Sequence, residues 1–363
     1  MRYFITGSRG FAAGHLVERL LENSDNFVVG LDCLYSCASK RDPFNATENN
    51  YLFVKGNLND KDLITHLLST YHFDFILHLS AQSHVDLSFS SPHIYALDNF
   101  MATLELLECV KSMTPEKRPK ILHCSTDEVL GPSTDGKAKH EDSLLLPSNV
   151  YACTKAASEC LINAYKCSHK LDVIIIRPNN LIAHRQYHEK VIPRFITLLK
   201  NNEPITIHGS GNQLRAYLHI SDFISAVELI LAKGVWGSIY HIPSDYEISV
   251  LDLAKQIAQI MGKEKTYQVR FVTDRLFNDC RYLNAGSALK NLGWSQKVTL
   301  KEALESTVRW YLEGKDQDYF IEEFEFPLQE NVEKHIDDAG DTVKTKNAHN
   351  VNTKKSKRSK TTK

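Results

Sequence analysis

The first 178 residues alternate short apolar runs with stretches of helical period, and few folds accommodate that alternation. The runs are "RYFIT" (2–6), "FVVGL" (27–31), "YLFVK" (51–55), "FILHL" (75–79), "KILHC" (120–124) and "DVIIIR" (172–177). Helical patterns lie between them, around 11–23, 60–70, 93–112 and 151–168. A strand that is apolar at nearly every position is covered on both faces, and parallel neighbours need a crossover helix between them. The pattern therefore predicts βαβ units building an α/β, doubly wound parallel sheet. Sheets of this kind bind ligands at the carboxyl ends of their strands.

After about residue 178 the elements shorten. "VIPRFITLLK" (191–200), "SDFISAVELILAKG" (221–234), "SVLDLAKQIAQIMG" (249–262) and "LKEALESTVRWYLEG" (300–314) read as helices. The expected division is a sheet domain over 1–178 and a smaller α/β lobe over 179–320, with some segments crossing back to the sheet. Residues 331–363 hold no Leu, Phe, Tyr or Trp and end in "NTKKSKRSKTTK". Such a segment buries too little apolar surface to offset its ordering entropy, so a disordered basic tail is expected. A solvated tail is the plain reading, and a localisation signal or anion-binding arm is the sharper one.

The formal net charge is −1, so overall charge points to neither a nucleic-acid nor a membrane partner. No apolar stretch approaches the roughly 20 residues of a membrane span, and the start reads as a strand rather than a signal peptide. Eight cysteines are scattered through the chain without a CxxC pair. Cysteine used as a small hydrophobe suits a reduced, cytoplasmic protein with no metal site.

"FITGSRGFAAGHL" (4–16) follows the first strand and opens the first helix. Gly7 can take a tight turn, and Gly10 lets the backbone approach a pyrophosphate held at the helix N-terminus. Ala13 occupies the third small position, where alanine still allows close helix–sheet packing. The second strand ends in Asp32, whose carboxylate can accept from a ribose and repels a 2′-phosphate. That favours NAD over NADP. Asn57, at the end of the third strand, could meet the adenine edge.

"VYACTKAASE" (150–159) sets Tyr151 and Lys155 four residues apart, on one face of a helix. A phenol titrates near a pKa of about 10, and a neighbouring ammonium would lower that value and make it a better base. "HCSTDEVLG" (123–131) ends the fifth strand in two adjacent carboxylates, Asp127 and Glu128. On its own that pair reads as a solvated turn or a cap.

These pieces together resemble a known family. The glycine turn, the tyrosine–lysine helix and the length are similar to extended short-chain dehydrogenase/reductases acting on nucleotide sugars. "STDEVLG" resembles the "STDEVYG" motif of the dTDP-glucose and UDP-glucose 4,6-dehydratases. The likeness runs from about residue 1 to 315. It includes "HLSAQSHVDLSF" (78–89), "VIPRF" (191–195), "IHGSGNQLRAYLHISD" (207–222), "DRLFNDCRY" (274–282) and "LGW" (292–294). Gln82 in "AQSHVD" looks more like eukaryotic and viral members than bacterial ones.

The resemblance implies a Rossmann-type sheet, NAD, and C4 oxidation of the sugar followed by water loss across C5 and C6 and reduction at C6. Tyr151, supported by Lys155 and Thr126, would take the C4 hydroxyl proton. Glu128 would remove the C5 proton, and a protonated Asp127 would donate to the departing C6 hydroxyl. Two adjacent carboxyls can divide these roles if their surroundings separate their pKa values. Cofactor contacts would come from Gly7, Gly10, Phe11, Ala13, Asp32, Asn57, Leu58, Leu79, Ala81, Asn99, Tyr151 and Lys155. Substrate contacts would come from Ser83, Thr126, Asn180, Lys190, Arg215 and Arg281, with both arginines clamping a diphosphate. Relatives are homodimers through helices like 93–112 and 151–168, whose faces here carry Leu106, Ala157, Leu161 and Ala164.

The chain departs from the family pattern at Ala13, at Leu130 where the motif has tyrosine, in "RLFNDCRY" for "RPGHDRRY", and in "NNLIAHRQY" for "NNYGPYQ". The alternatives are an epimerase of the same fold, which needs no acid pair, and a non-catalytic dinucleotide-binding protein.

Overall fold

The computed structural model describes residues 1–43, 45–316, 319 and 320. The tail expected over 331–363 lies outside the described residues. All described residues belong to one unit, Met1–Glu322.

The strands are β1 Arg2–Thr6, β2 Phe27–Asp32, β3 Tyr51–Lys55, β4 Phe75–His78, β5 Lys120–Cys124, β6 Val173–Pro178, β7 Asn180–Ile182, β8 Ile205–His208, β9 Leu214–His219, β10 Ile239–Ile242, β11 Glu247–Ser249 and β12 Val269–Val272. The α-helices are α1 Phe11–Leu21, α2 Lys61–Tyr71, α3 Val85–Ser90, α4 Pro92–Tyr95, α5 Ala102–Ser112, α6 Val150–His169, α7 Val191–Lys200, α8 Ile220–Lys233, α9 Val250–Ile260, α10 Ser287–Asn291 and α11 Leu300–Leu312.

Seven strands form the central sheet in the order β3-β2-β1-β4-β5-β6-β10. Every pairing in it is parallel. The burial of β6 shows why an apolar run becomes such a strand. Val173 and Ile175 face a core with Ile64 and Leu68 of α2, Leu107 of α5 and Ile162 of α6. Ile174 and Ile176 face the opposite core, with Leu16 and Leu20 of α1 and Phe223 and Val227 of α8. Fully burying each such side chain stabilises the fold by about 1.5–3 kcal/mol. β1 lies between β2 and β4, so the chain's crossovers change direction there and leave a crevice at the strands' carboxyl ends.

β10 returns from beyond residue 178 to pair with β6. The remaining elements form two small sheets, β11-β9-β7 and β12-β8, and a third core in which α7, α9 and α11 pack together. α11 starts with a reciprocal cap between Thr299 and Glu302.

Two sequence expectations change. The helix expected over 93–112 is interrupted by a π-helical turn, Ala96–Met101. There the Asn99 carbonyl accepts from the Thr103 hydroxyl at 2.6 Å and the Ser158 hydroxyl at 3.1 Å. Side chains inserted into a helical ladder widen it locally, and such turns gather at functional sites. Leu106, expected on a subunit interface, is 1% exposed and belongs to the core under the sheet. Among the described residues no helix is long and apolar enough to cross a membrane.

Candidate active site

Gly7 turns the chain from β1 toward α1 with φ +70°. A Cβ there would sit 2.8 Å from the Ser80 Cα, a backbone clash that no rotamer relieves. The turn is tied to β2, because the Gly7 and Ser8 amides donate to the Leu31 carbonyl at 2.8 and 3.2 Å. Gly10 caps α1, so the first amides of the helix, from Phe11 on, have no partner within it. The Asp32 carboxylate accepts from the Arg9 amide at 2.9 Å and the Leu34 amide at 2.8 Å. Burial pushes its pKa up, and these amides oppose that shift.

This turn opens onto a cavity of about 360 Å³. Gly7, Gly10, Phe11, Ala13, Asp32, Asn57, Leu58, Leu79 and Ala81 line it. So do Ser83, Thr126, Asp127, Glu128, Tyr151, Lys155, Asn180 and Lys190. Lys190 donates to the Ser83 carbonyl at 2.8 Å, joining the two rims.

Three expected residues do not line the cavity. Asn99 lies behind it, 1% exposed, accepting from the Gln82 amide at 2.7 Å and donating to the Gln82 carbonyl at 3.0 Å. It shapes the Gln82 loop from underneath. Arg215 packs over the Tyr282 ring and donates to the Leu214 carbonyl and Asn278. Arg281 is engaged by Glu247, with nitrogen and oxygen 2.6 Å apart.

The loop that carries Asp127 and Glu128 follows from β5. Thr126 is extended and caps a 3₁₀ turn, Asp127–Leu130, accepting from the Glu128 amide at 3.3 Å. This capping directs the two carboxyls to different partners. Asp127 Oδ1 accepts from the Thr126 hydroxyl at 3.1 Å and Oδ2 from the Asn179 amide at 2.7 Å. Glu128 Oε2 accepts from Asn149 at 2.8 Å. Burial, then the Glu128 charge, pushes Asp127 up to about 7. Burial also raises Glu128, opposed first by its bond from Asn149. Asp127 is 4% exposed and Glu128 is half-buried. The site therefore holds one carboxyl able to keep a proton near neutrality beside a second that reaches the cavity.

Asp127 carries a stability consequence. Its unfolded value of 3.8 lies below its folded value of about 7. As pH rises from about 4 to 7 the unfolded chain releases this proton first, so stability falls through that window and levels off above it. Asp127→Asn should melt higher than the unsubstituted protein at pH 8, by up to about 4 kcal/mol, with the difference vanishing toward pH 4. Thermal melts across that range check this.

Tyr151 and Lys155 both open α6 and are 8% and 2% exposed. The expected lowering of the phenol by Lys155 is absent. Burial, then Glu128, raises Tyr151 well above its ordinary value, and the Thr126 side chain opposes this as a hydrogen-bond partner. Burial lowers the Lys155 ammonium to about 8. Among the described residues no hydrogen bond uses it, so it faces the cavity as an uncommitted donor.

Sequence reading missed several residues. Asn149 is the N-cap of α6, and its amide holds Glu128. An asparagine just before a helical run is a readable signal for the cap. Asn179, rather than Asn180, bonds Asp127. Glu159 continues the Tyr151–Lys155 face by one turn and forms a buried pair with Arg177 at 2.6 Å. Glu159 also accepts from the Ser125 hydroxyl, at the start of the loop that carries Asp127 and Glu128. Leu130, where the family motif has tyrosine, suits its surroundings. It is fully buried with Val129 and Ala156, where a phenol hydroxyl would need a partner.

The family model described as GDP-mannose 4,6 dehydratase matches residues 4–307. A trifunctional UDP-glucose 4,6-dehydratase/UDP-4-keto-6-deoxy-D-glucose 3,5-epimerase/UDP-4-keto-L-rhamnose-reductase of Arabidopsis thaliana is 39% identical over 86% of this chain. The chain spans about half of that relative's length, 47%. The dTDP-D-glucose 4,6-dehydratase of Homo sapiens is 38% identical over 86% of this chain and 90% of its own length. Among solved structures, DesIV, a dTDP-glucose 4,6-dehydratase from Streptomyces venezuelae with NAD bound, superposes with a TM-score of 0.81 at 33% identity. That match covers 87% of this chain and 98% of the other. The chain belongs to the GDP-mannose 4,6 dehydratase family, in the branch that holds the dTDP-glucose and UDP-glucose 4,6-dehydratases.

Proposed function

We propose that this chain is an NAD-dependent 4,6-dehydratase acting on dTDP-glucose or UDP-glucose. The observation that carries the reading is the pair Asp127 and Glu128, set in one cavity with Tyr151 and held by different partners. An epimerase of this fold has no use for an acid and a base beyond its tyrosine.

The cavity suits NAD. The uncommitted amides of α1 favour a pyrophosphate, and the buried Asp32 favours an unphosphorylated ribose. NAD, when bound, would supply the hydride acceptor for sugar C4 and the hydride donor for C6. The chain's own groups move the protons. Tyr151, which burial keeps as a phenol in the free site, must ionise before it takes the C4 hydroxyl proton, and the Thr126 side chain beside it favours that ionised form. Glu128 takes the C5 proton, which the C4 ketone acidifies, and Asp127 gives its proton to the departing C6 oxygen. Lys155 supplies a free ammonium to the cofactor side of the cavity. Lys190 and Asn180 approach the diphosphate, and Arg215, outside the cavity lining, weakly opposes the rise that burial gives both carboxyls. We read residues 179–320 mainly as the nucleotide-sugar lobe and the assembly as a homodimer. Eight free cysteines fit a cytoplasmic protein.

Incubation with UDP-glucose and with dTDP-glucose, separately, should yield a 4-keto product visible by its absorbance in alkali. No product from either, with cofactor bound, would sink the assignment. Gly7→Ala should weaken NAD binding by roughly 5- to 30-fold, the equivalent of the roughly 1–2 kcal/mol that a left-handed alanine costs. NAD content of the purified variant, measured after release, checks this.

A further inference from the structure

Two loops from distant parts of the chain line the cavity near the start of α1. The first follows Asp32 and contributes Cys37 and Ala38, and the second precedes α7 and contributes Gln186 and Tyr187. Each is fastened to α1 or to the turn before it. The Ser39 amide donates to the Arg9 carbonyl at 2.8 Å. The Arg9 guanidinium donates to Asp42 and packs 4.2 Å over the Phe53 ring. In the second loop, Arg185 grips both carboxylate oxygens of Glu18 on α1, each at 2.7 Å. The His184 ring lies 4.8 Å from the His15 ring on the same helix.

A short segment after α11 joins the two loops. The Lys40 amide donates to the Tyr319 carbonyl at 2.9 Å, and Ser39 and Phe320 form an antiparallel bridge. The Phe320 ring stands edge-on to Tyr187 at 5.0 Å and to His188 at 5.5 Å. Its side chain is buried, 6% exposed. The neighbouring Tyr319 ring is 5.9 Å from Trp310 of α11, with the Arg185 guanidinium 5.8 Å over it. Phe320 therefore touches the first loop through its backbone and the second through its ring.

The proposed reaction needs the cofactor at C4 and again at C6, so a dinucleotide lost in between would strand the sugar unreduced. Loops ordered over a bound molecule slow its escape. We propose that Phe320 is a positioning residue for the cofactor: it ties the Asp32 loop to the Tyr187 loop, and NAD seated at the start of α1 leaves when this tie opens. This rests on the reading of the cavity as the NAD site. Arg9 fastens the same loop to the glycine turn and gives the tie a fixed anchor.

The test follows release of NAD from the loaded full-length protein, chased with excess radiolabelled NAD. Phe320→Ala should release NAD about tenfold faster, since two edge contacts of an aromatic ring together are worth about that factor. Phe320→Leu keeps the space filled without the edge contacts. It should release NAD about threefold faster, and it serves if the alanine variant does not fold. Trypsin should also cut after Lys40 and Arg41 sooner in these variants, a local change that a general loss of stability would spread over many sites. Release at the unsubstituted rate from the folded variants, even with a lowered melting temperature, would show that Phe320 only supports the fold, and that result overturns the proposal. An unsubstituted protein that binds no NAD removes the site reading instead, so the two failures are distinguishable.

Discussion

Glu128→Gln should lower formation of the 4-keto-6-deoxy product by about 10³-fold, within the range for loss of a general base, while leaving C4 oxidation intact. The amide can still accept from Asn149, so the 3₁₀ turn keeps its support. It cannot take the C5 proton. With substrate added, bound NAD should be reduced and remain so, read as absorbance at the wavelength of reduced nicotinamide. Exchange of the C5 proton with solvent deuterium should stop. Exchange at the normal rate in this variant would refute the base assignment and leave the tyrosine chemistry standing.

The second large effect is on stability. Glu159 and Arg177 are 0% and 2% exposed and meet through two hydrogen bonds, at 2.6 and 3.0 Å. Removing one partner leaves a buried charge uncompensated, which costs about 3–5 kcal/mol. Glu159→Ala should therefore lower the melting temperature by roughly 5 °C for a chain of this size. It also frees the Ser125 hydroxyl at the start of the loop that carries Asp127 and Glu128, so activity should fall in the protein that remains folded. Replacing both members, Glu159→Leu with Arg177→Met, should recover much of the stability but not the activity. A double substitution as unstable as the single one would show that the pair matters for more than its charges. The half-denaturation point in urea, measured for both variants, decides between these.

The sheet was legible because its strands are apolar on both faces, and the segments of β1 to β6 can be read from Val, Ile, Leu and Phe alone. The π-helical turn was not legible. It depends on Ser158, from a distant part of the chain, reaching the Asn99 carbonyl. In the site, Tyr151, Lys155, Asp127 and Glu128 could be named because their spacing is local or their motif is short. Their electrostatics could not be. Helical spacing placed Lys155 near Tyr151 but gave no measure of burial, and burial governs the phenol. Arg281 looked like a free clamp until its partner Glu247 was brought beside it by the fold. Asn179 and Asn180 were adjacent letters in "RPNN", and only the start of the loop after β6 decides which one faces Asp127.

The central claim is that one site oxidises C4, eliminates water and reduces C6 without releasing the sugar or the cofactor. UDP-glucose and dTDP-glucose carrying deuterium at C4 test it directly. The product of the substrate that reacts should carry the deuterium at C6, read by mass spectrometry and by NMR of the methyl group. A 4-keto-6-deoxy product with no deuterium at C6, or deuterium still at C4 in an epimerised sugar, would contradict the account.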